Sequence, residues 1–393
     1  MSENTKTPRI RFKGFTDAWE QRKLGEVTKI NMGQSPAGVN YTANPNDAIL
    51  VQGNADMVDG WVCPRVYTRQ ITKKAHVGDL IFSVRAPVGE VGKTQYDVVI
   101  GRGVAAISGN EFIFQTLKQM NAFGYWTKLS AGSTFESINS DTLKSAKLFV
   151  PKENEQRKIG EILLKIDNLI TLHQRKCDKL KNIKAALLEK MFPQGDSTTP
   201  KIRFKGFTDT WEQRKLGEVG KAQSGVGFPD REQGGKTGVP FYKVSDMNNA
   251  GNEHEMCTAN NYVSEAQCKK NGWTPITEIS VVFAKVGAAI MLNRKRLVRI
   301  SFLLDNNTMA YKFGTEWDID FGKTLFERID LTDLVQIGAL PSYNATDVEC
   351  VEISLPDKPE QHRIGVLFKQ LDNLITLHQR KQNDKFSLFK PKN

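Results

Sequence analysis

The chain has 393 residues, of which 39% are hydrophobic and 25% charged, an ordinary composition for a globular protein of two or more domains. Its formal net charge of +11 favours a polyanionic partner such as nucleic acid, although a solvated basic surface would give the same balance. The sequence has no apolar run of about eighteen residues, so no membrane span is expected. The polar start MSENTKTPRI predicts a cytoplasmic protein rather than a secreted one.

The cysteines and histidines give no metal signature. There are five of each, they are scattered along the chain, and no two cysteines have CxxC spacing. We therefore predict reduced, structural cysteines and no metal site.

The first predicted element lies in a repeat. The segment IRFKGFTDAWEQRKLGEV begins at Ile10 and recurs from Ile202 with one substitution in eighteen positions. Within it, Asp17 and Glu20 have the spacing of a capping box, and Gly25 is a suitable helix end. We therefore expect a short helix in both copies.

The regions that follow the two copies differ in sequence but share a pattern. Apolar runs punctuated by glycine, from His76 and from Glu278, predict small strand-rich sheets. The segments from Glu111 and from Glu316 have helical periodicity. A mixed α/β domain is expected in each half.

A second repeat closes each half. Residues 137–176 recur as 342–381 at a constant offset of 205, and within them EQRKIGEILLKIDNLITLHQRK matches EQHRIGVLFKQLDNLITLHQRK at 14 of 22 positions. Tandem duplication of a whole domain explains this order. The predicted divisions are a first variable domain with its constant segment (1–150), a central conserved helix (151–195), a second variable domain with the repeated constant segment (196–355) and a distal conserved helix (356–393).

The conserved segments predict two long amphipathic helices. Pro151 precedes the first helix and FPQGDSTTP ends it, which leaves about 37 residues, or roughly 55 Å. A stripe of that length needs a partner, so we predict an antiparallel coiled-coil spacer with pseudo-two-fold symmetry. The apolar a and d positions are Ile159, Ile162, Ile166, Leu169, Leu180, Ile183 and Leu187 in the first helix, and Ile364, Leu367, Leu371 and Leu374 in the second.

Two polar positions interrupt this stripe. His173 and His378 share an a position, and Lys176 and Lys381 share a d position. They are either polar gaps on a surface helix or a polar layer that fixes the register of the helix pair. The second helix continues as QNDKFSLFKPKN where the first has CDKLKNIKAALLEKMFP, so its far end is expected to be short or altered.

Catalytic signatures are missing. The Gly-Lys-Thr triplets at 92–94 and 235–237 have Pro87 and Asp230 where a phosphate loop needs glycine. The sequence contains no Asp/Asn-Pro-Pro-aromatic tetrapeptide and no GxGxxG run. No catalytic residue is predicted.

The ordered repeats resemble the specificity (S) subunits of type I restriction-modification enzymes. The similarity rests on the doubled RFKGFTD-WEQRKLGEV, the junctions LFVPKENEQRKIG and SLPDKPEQHRIG, and the doubled DNLITLHQRK. GSTFESIN, VFAKVGAAI and DNNTM are similar to stretches of that family's target recognition domains.

The resemblance implies a non-catalytic subunit whose two domains each bind one half of a bipartite, asymmetric double-stranded DNA target. The helical spacer would set the gap. Two methyltransferase subunits would dock on the constant regions, and endonuclease/translocase subunits would bind through them. S-adenosylmethionine, ATP and Mg²⁺ would belong to those partners, with no cofactor in this chain.

Direct readout favours loop side chains that carry amide, hydroxyl or cationic groups. The candidates for DNA contacts are Gln34, Ser35, Arg85, Arg102, Ser133 and Thr134 in the first half, and Lys243, Ser245, Lys285, Arg294, Lys295, Asn306, Asn307, Ser342 and Asn344 in the second. The basic run NRKRLVR favours phosphate contacts.

Two alternatives stay open at this point. A stand-alone DNA methyltransferase or nuclease would act on DNA by itself, although its signatures are missing. A scaffold with two domains for cargo other than nucleic acid would show no salt-dependent DNA binding.

Overall fold

The structure is a computed structural model that describes residues 7–85, 87–130, 137–195, 197–335 and 341–387, with the backbone alone for 381–387. The chain divides into two compact units, Met1–Thr171 and Leu172–Asn393. The division falls inside a long helix. The predicted domain boundaries at 150, 195 and 355 stay predictions.

The first unit is rich in short strands. Its elements are β1 Glu20–Lys23, α1 Leu24–Val27, β2 Lys29–Met32, β3 Tyr41–Thr42, β4 Ala48–Val51, β5 Met57–Val58, β6 Trp61–Val62, β7 Val66–Thr68, β8 Lys74–Ala75, β9 Leu80–Ser83, β10 Val91–Lys93, β11 Val98–Ile100, β12 Val104–Ser108, α2 Glu111–Ala122, α3 Tyr125–Ser130, α4 Ser140–Ser145, β13 Lys147–Val150 and the start of α5 Glu153–Lys190. They form sheets in the orders β1-β13, β2-β12-β9-β10-β6-β5 and β3-β7-β4-β11-β8.

The second unit repeats this plan with fewer strands. Its elements are β14 Glu212–Lys215, α6 Leu216–Val219, β15 Gly220–Ser224, β16 Val239–Tyr242, β17 Tyr262–Val263, α7 Glu265–Asn271, β18 Ser280–Ala284, β19 Lys295–Val298, β20 Leu303–Leu304, β21 Thr308–Phe313, α8 Ile319–Arg328, α9 Ala345–Glu349, β22 Glu352–Leu355 and α10 Lys358–Ser387. The sheet orders are β14-β22, β15-β21-β18-β19 and β17-β16-β20. The mixed α/β prediction and the helices predicted from Glu111 and Glu316 are confirmed.

The prediction for the opening repeat was wrong. Glu20 lies in strand β1, which pairs antiparallel with β13, and the helix begins only at Leu24 and includes Gly25. The second copy behaves identically, because β14 pairs with β22. The strand before each long helix supplies a long-range partner, and that pairing overrides the local capping signal.

The long helices are confirmed. Helix α5 has 38 residues and α10 has 30. Within the second unit, His173 Nδ1 lies 2.9 Å from His378 Nδ1, and Lys184 Nζ lies 2.6 Å from Asp372 Oδ1. Moving forward along α5 therefore means moving backward along α10, so these segments are antiparallel. Of the two alternatives for the polar positions, the contact between the histidines favours a polar layer, whereas the side chain of Lys381 lies outside the described residues.

A repeated glycine lets each long helix cross its neighbour closely. A Cβ atom on Gly160 would lie 2.9 Å from Glu111 Cβ, and one on Gly365 would lie 2.6 Å from the backbone nitrogen of Phe321. The second distance leaves no room for a side chain, and the first leaves almost none. These glycines seat α5 on α2 and α10 on α8. In the described part of the chain, no helix has both the length and the apolar character to cross a bilayer.

Candidate nucleic-acid interface

The turn between β20 and β21 in the second unit presents two exposed amide side chains. Asn306 and Asn307 are exposed, whereas the adjoining Asp305 is buried. Asp305 accepts hydrogen bonds from the Asn307 side chain at 3.2 Å and from the Thr308 hydroxyl at 3.1 Å. Burial raises the pKa of Asp305. The carboxyl group fixes the turn from beneath, and the amides lie on its surface.

The first unit has a matching turn between β11 and β12. The amide of Gly33 donates to the Val104 carbonyl at 3.0 Å, and that of Gly225 donates to the Thr308 carbonyl at 3.0 Å. The amides of the next residues, Gln34 and Val226, donate at 2.8 Å to the carbonyls of Ile100 and Leu304 respectively. The two turns thus occupy equivalent places, and Arg102 stands where the second unit has an asparagine.

The residue that packs against each turn, Gly33 or Gly225, has to be glycine. A Cβ atom on Gly33 would lie 2.0 Å from the Gly101 carbonyl oxygen, and one on Gly225 would lie 1.9 Å from that of Asp305. Real Cβ atoms do not approach oxygen so closely. The two backbones therefore pack directly together, and the side chains that follow them project beside the turn.

Four candidates of the first unit are brought together. The Ser35 hydroxyl accepts from the Arg102 amide at 3.1 Å, and Gln34 and Arg102 are exposed. Arg85 is exposed and follows Val84, whose amide donates to the Gly103 carbonyl of the same turn at 2.9 Å. Ser133 and Thr134 lie outside the described residues.

Lys285 and Ser342 lie beside the asparagines in the second unit. The Lys285 amide donates to the Asn307 carbonyl at 2.9 Å, and Ser342 bridges to Val286. Arg85 bridges in the same way to Ser137, 205 residues before Ser342. The loops around the turn are thus equivalent in the two copies.

Lys243 and Ser245 lie on the neighbouring loop. The Asp305 amide donates to the carbonyl of Tyr242, the residue before Lys243, at 3.0 Å. The Lys243 ammonium donates to Gln233 at 2.6 Å, and Ser245 is exposed on a 3₁₀ turn over Val244–Asn248. Both residues therefore border the same cluster.

Asn344 has a structural role that the prediction overlooked. Its side chain accepts from the Asp347 amide at 3.1 Å and caps α9, just as Asn139 accepts from the Thr142 amide at 2.8 Å and caps α4. N-cap asparagines are common because they satisfy a free amide. The repeat itself was the signal, since Asn139 and Asn344 are 205 residues apart.

The Lys295 side chain points into the protein. Its ammonium donates to the Ile329 carbonyl at 2.5 Å and to Asn293 at 2.6 Å. Burial lowers the pKa of Lys295 to about 8. The Arg294 guanidinium donates instead to the side chain of Asn248. We therefore leave Lys295 and Asn344 out of the set proposed to contact DNA.

The repeated segments meet in a buried ion pair that sequence reasoning missed. Arg11 binds both carboxylate oxygens of Glu155, at 2.6 and 2.7 Å, and Arg203 binds both oxygens of Glu360 at 2.7 Å. In the second copy, Trp211 also donates to Glu360 at 3.2 Å. The hydrogen bond to Glu360 raises the pKa of Arg203. Every member of both pairs lies in a repeat, which was the available signal.

The predicted stripe of the first helix is divided between two environments. Two of its positions are open, since Ile162 and Leu169 are each 45% exposed. Ile159 packs against the core of the first unit, whereas Leu180 and Leu187 pack against that of the second. Among the remaining positions, Ile166 is half-buried and Ile183 is exposed.

The predicted stripe of the second helix is mostly buried. Ile364 is 1% and Leu371 8% exposed, and Leu367 packs against the same core. Leu374 is 44% exposed. Most of this stripe therefore belongs to the hydrophobic core of the second unit.

A charge network joins three helices of that unit. His254, Glu327 and Asp372 offer possible metal ligands within 4.8 Å of one another. Lys184 lies within 2.6 Å of both carboxylates, and Lys323 contacts both as well. Two ammonium groups thus already neutralise the two acids, and we interpret the group as an ion-pair network.

The family model for the type I restriction modification DNA specificity domain matches residues 16–182 and 208–385, one match in each half of the chain. The chain belongs to this family. It is a type I restriction-modification specificity subunit with two recognition domains.

Relatives and a solved structure agree with this assignment. The putative MjaX specificity subunit of Methanocaldococcus jannaschii is 31% identical over 48% of this chain and 44% of its own length, so the match spans about half of each protein. The MjaIX specificity subunit of the same organism is 23% identical over 92% of this chain and 88% of its own. The crystal structure of the S subunit from M. genitalium has a TM-score of 0.66 and 14% identity, with 97% of this chain and 96% of that chain covered, which shows a shared fold.

Proposed function

We propose that each recognition domain binds one half of a bipartite, asymmetric DNA target. The observation that carries the proposal is the pair of equivalent turns, at 100–104 and 304–308. Their backbones match, yet Arg102 occupies one and Asn306 and Asn307 occupy the other. A common scaffold with different exposed donors suits two readers of different sequences.

The proposed base-contacting set contains the candidates that cluster at these turns. Arginine suits guanine and asparagine suits adenine in the major groove, because each offers paired hydrogen bonds to one base edge. The set is Gln34, Ser35, Arg85 and Arg102 in the first domain, and Lys243, Ser245, Lys285, Asn306, Asn307 and Ser342 in the second.

The long helices are proposed to fix the gap between the half-sites. The antiparallel contact at His173 and His378 sets a register between α5 and α10 in the second unit. A rigid spacer of this kind would keep the two readers about one DNA turn apart, roughly 34–36 Å. Changing helix length would then change the gap rather than the half-sites.

The constant regions are proposed to dock two methyltransferase subunits, through which endonuclease/translocase subunits bind. The exposed apolar positions Ile162 and Leu169 support a docking surface on α5, because exposed apolar stripes on helices commonly mark interfaces. In this proposal the complex acts in the cytoplasm. S-adenosylmethionine, ATP and Mg²⁺ would be bound by the partners, and this chain would recognise DNA without catalysing a step.

Co-expression with the cognate methyltransferase subunit, followed by methylation sequencing of the host DNA, tests the proposal. A bipartite motif methylated on adenine is expected. Methyl transfer by the purified chain alone would instead indicate a stand-alone methyltransferase. DNA binding that is absent at every salt concentration would indicate a scaffold for other cargo.

A domain exchange separates the two readers. Replacing residues 220–336 with the corresponding segment of another specificity subunit should change one half-site and leave the other and the gap intact. A simultaneous change in both half-sites would contradict the assignment of one half-site to each domain. Replacing residues 28–136 is the matched exchange and should alter the opposite half-site.

A further inference from the structure

The edge strand β19 separates its basic side chains onto two faces. Val282 pairs with Arg296, and successive side chains of a strand point to opposite faces. Lys295 therefore shares the face of Leu297, which packs in the core with α8. Arg296 shares the face of Val298, which packs in a second apolar cluster with Tyr242, and Arg294 also lies on that side of the strand. The run NRKRLVR thus has one lysine on the inward face toward α8 and two arginines on the opposite face, beside the second apolar cluster.

Arg296 has too few partners for a half-buried cation. Its Nε is buried and makes no hydrogen bond within the described residues, and its Nη1 donates to the Lys295 carbonyl at 2.9 Å. Burial lowers the pKa of Arg296, and the neighbouring charge of Arg294 lowers it further. Glu253 and Glu327 act on it from a distance, but neither forms an ion pair with Arg296 within 4.0 Å among the described residues, and Glu327 is paired instead with Lys184 and Lys323. Arg296 as a whole is half-buried, and a half-buried guanidinium without a carboxylate partner favours an external anion.

We propose that Arg296, together with Arg294, binds a backbone phosphate of DNA at this edge of the second recognition domain. The inference rests on the proposed function and adds a residue that positions DNA rather than one that distinguishes bases. Lys295 pairs with Phe283, two residues before Lys285, so the arginines lie at the same end of the sheet as the proposed readers. Guanidinium groups suit phosphate because their donors match its oxygens in pairs.

The first recognition domain lacks a counterpart. Phe82 and Phe283 are equivalent, and Phe82 pairs with Val91, so Val91 and Gly92 stand where Lys295 and Arg296 stand in the second domain. A Cβ atom on Gly92 would lie 2.8 Å from the sulfur of Met57, so a side chain at this position would require that sulfur to move. The phosphate contact is therefore specific to one half-site.

The test measures how salt weakens the binding of the full-length chain to one double-stranded DNA of arbitrary sequence, which is the same for all variants. The slope of log K against log salt is negative, and it should become shallower by about 0.9 in Arg296→Gln because one phosphate contact is lost. Binding should also be roughly tenfold weaker. Arg296→Lys should keep the wild-type slope. Lys295→Gln removes the same charge from the inward face and should also keep it. The unfolding midpoint of Arg296→Gln should not fall, because the wild-type guanidinium has no carboxylate partner within the described residues.

Three results would overturn the proposal. An unchanged slope in Arg296→Gln would exclude a phosphate contact, and an equal fall in Lys295→Gln would indicate only a general charge effect. Stabilisation of the wild type but not Arg296→Gln by inorganic phosphate, with no change in the DNA slope, would assign the site to a free anion. A wild-type chain without salt-dependent DNA binding would instead contradict the proposed function itself.

Discussion

The two copies of the long helix carry the same apolar stripe in different surroundings. In the second copy Ile364 and Ile375 are buried, at 1% and 6% exposed. Their equivalents in the first copy, Ile159 and Ile170, are only half-buried, although the residue type is the same at both pairs. Burial of this stripe is therefore decided by what packs against it and not by its own sequence.

The second unit contains that packing partner. The C-terminal half of α5 belongs to this unit and contributes Leu180, Leu187 and Leu188 to its core, while Met191 and Phe192 are fully part of it. One duplicated segment thus has a structural role in the second unit and an exposed apolar surface in the first. Duplication places the same apolar side chains on both helices, and the elements that pack against each copy decide whether those side chains are buried or exposed.

The largest expected effect is at the buried ion pairs. Glu360→Gln leaves Arg203 without its carboxylate and weakens the acceptor of Trp211, so the second unit should lose about 4 kcal/mol of unfolding free energy. Glu155→Gln should cost the first unit less, because the Trp19 Nε1 makes no hydrogen bond within the described residues. Hydrogen–deuterium exchange of peptides from each unit measures both losses. Equal losses would show that the tryptophan contact contributes nothing.

A somewhat smaller effect is expected at the stripe itself. Ile364→Ala should destabilise the second unit by about 3 kcal/mol, because it opens a cavity in a closed core. Ile159→Ala removes the same atoms from a half-buried site and should cost about 1 kcal/mol. Urea unfolding of the two variants gives the comparison. Leu169→Ala and Leu374→Ala are the controls, since these positions are 45% and 44% exposed and should lose equal, small amounts.

The sequence predicted the long helices and the mixed α/β domains because their signals are local or repeated, and it left the pairing of the histidines as one of two alternatives. Helical periodicity marks α5 and α10, and an identical LHQRK in both helices places His173 opposite His378. The strand Glu20–Lys23 was missed because its ladder partner lies more than 120 residues further along the chain. Local capping signals carry no information on such distant pairing.

The candidate site was harder to predict than the fold. Residue type and loop position selected the side chains that gather at the two turns, but they could not separate Lys295 from Arg296. Alternate residues of β19 lie on opposite faces of the sheet, and only one of these faces packs against α8. The sequence of the basic run does not show which residues lie on that face. Asn344 entered the candidate set because an exposed asparagine suits a base as well as a helix cap.

The smallest expected effect is at a pair of equivalent aspartates. Asp372 is buried between Lys184 and Lys323, whereas Asp167 is 39% exposed and contacts Gln115 at 2.8 Å and Lys118 at 3.4 Å. Asp372→Asn should destabilise the second unit by about 1–2 kcal/mol at pH 7, because Glu327 still contacts both ammonium groups and offsets part of their charge. Asp167→Asn should cost the first unit less than about 1 kcal/mol.

The pH dependence of the difference in unfolding free energy between the wild type and Asp372→Asn shows whether the charge of Asp372 causes it. Burial alone would raise the pKa of Asp372, but Lys323 and Lys184 outweigh burial and hold that pKa below its usual range. A depressed carboxyl pKa adds stability above the unfolded value, about 3.9, which is lost as the pH falls through the folded value. The difference in unfolding free energy between the wild type and Asp372→Asn should therefore be constant from pH 7 to about 5 and shrink below about pH 4. A gap that persists at pH 2 would mean that shape, and not charge, holds α10 against α5 and α8 in the second unit.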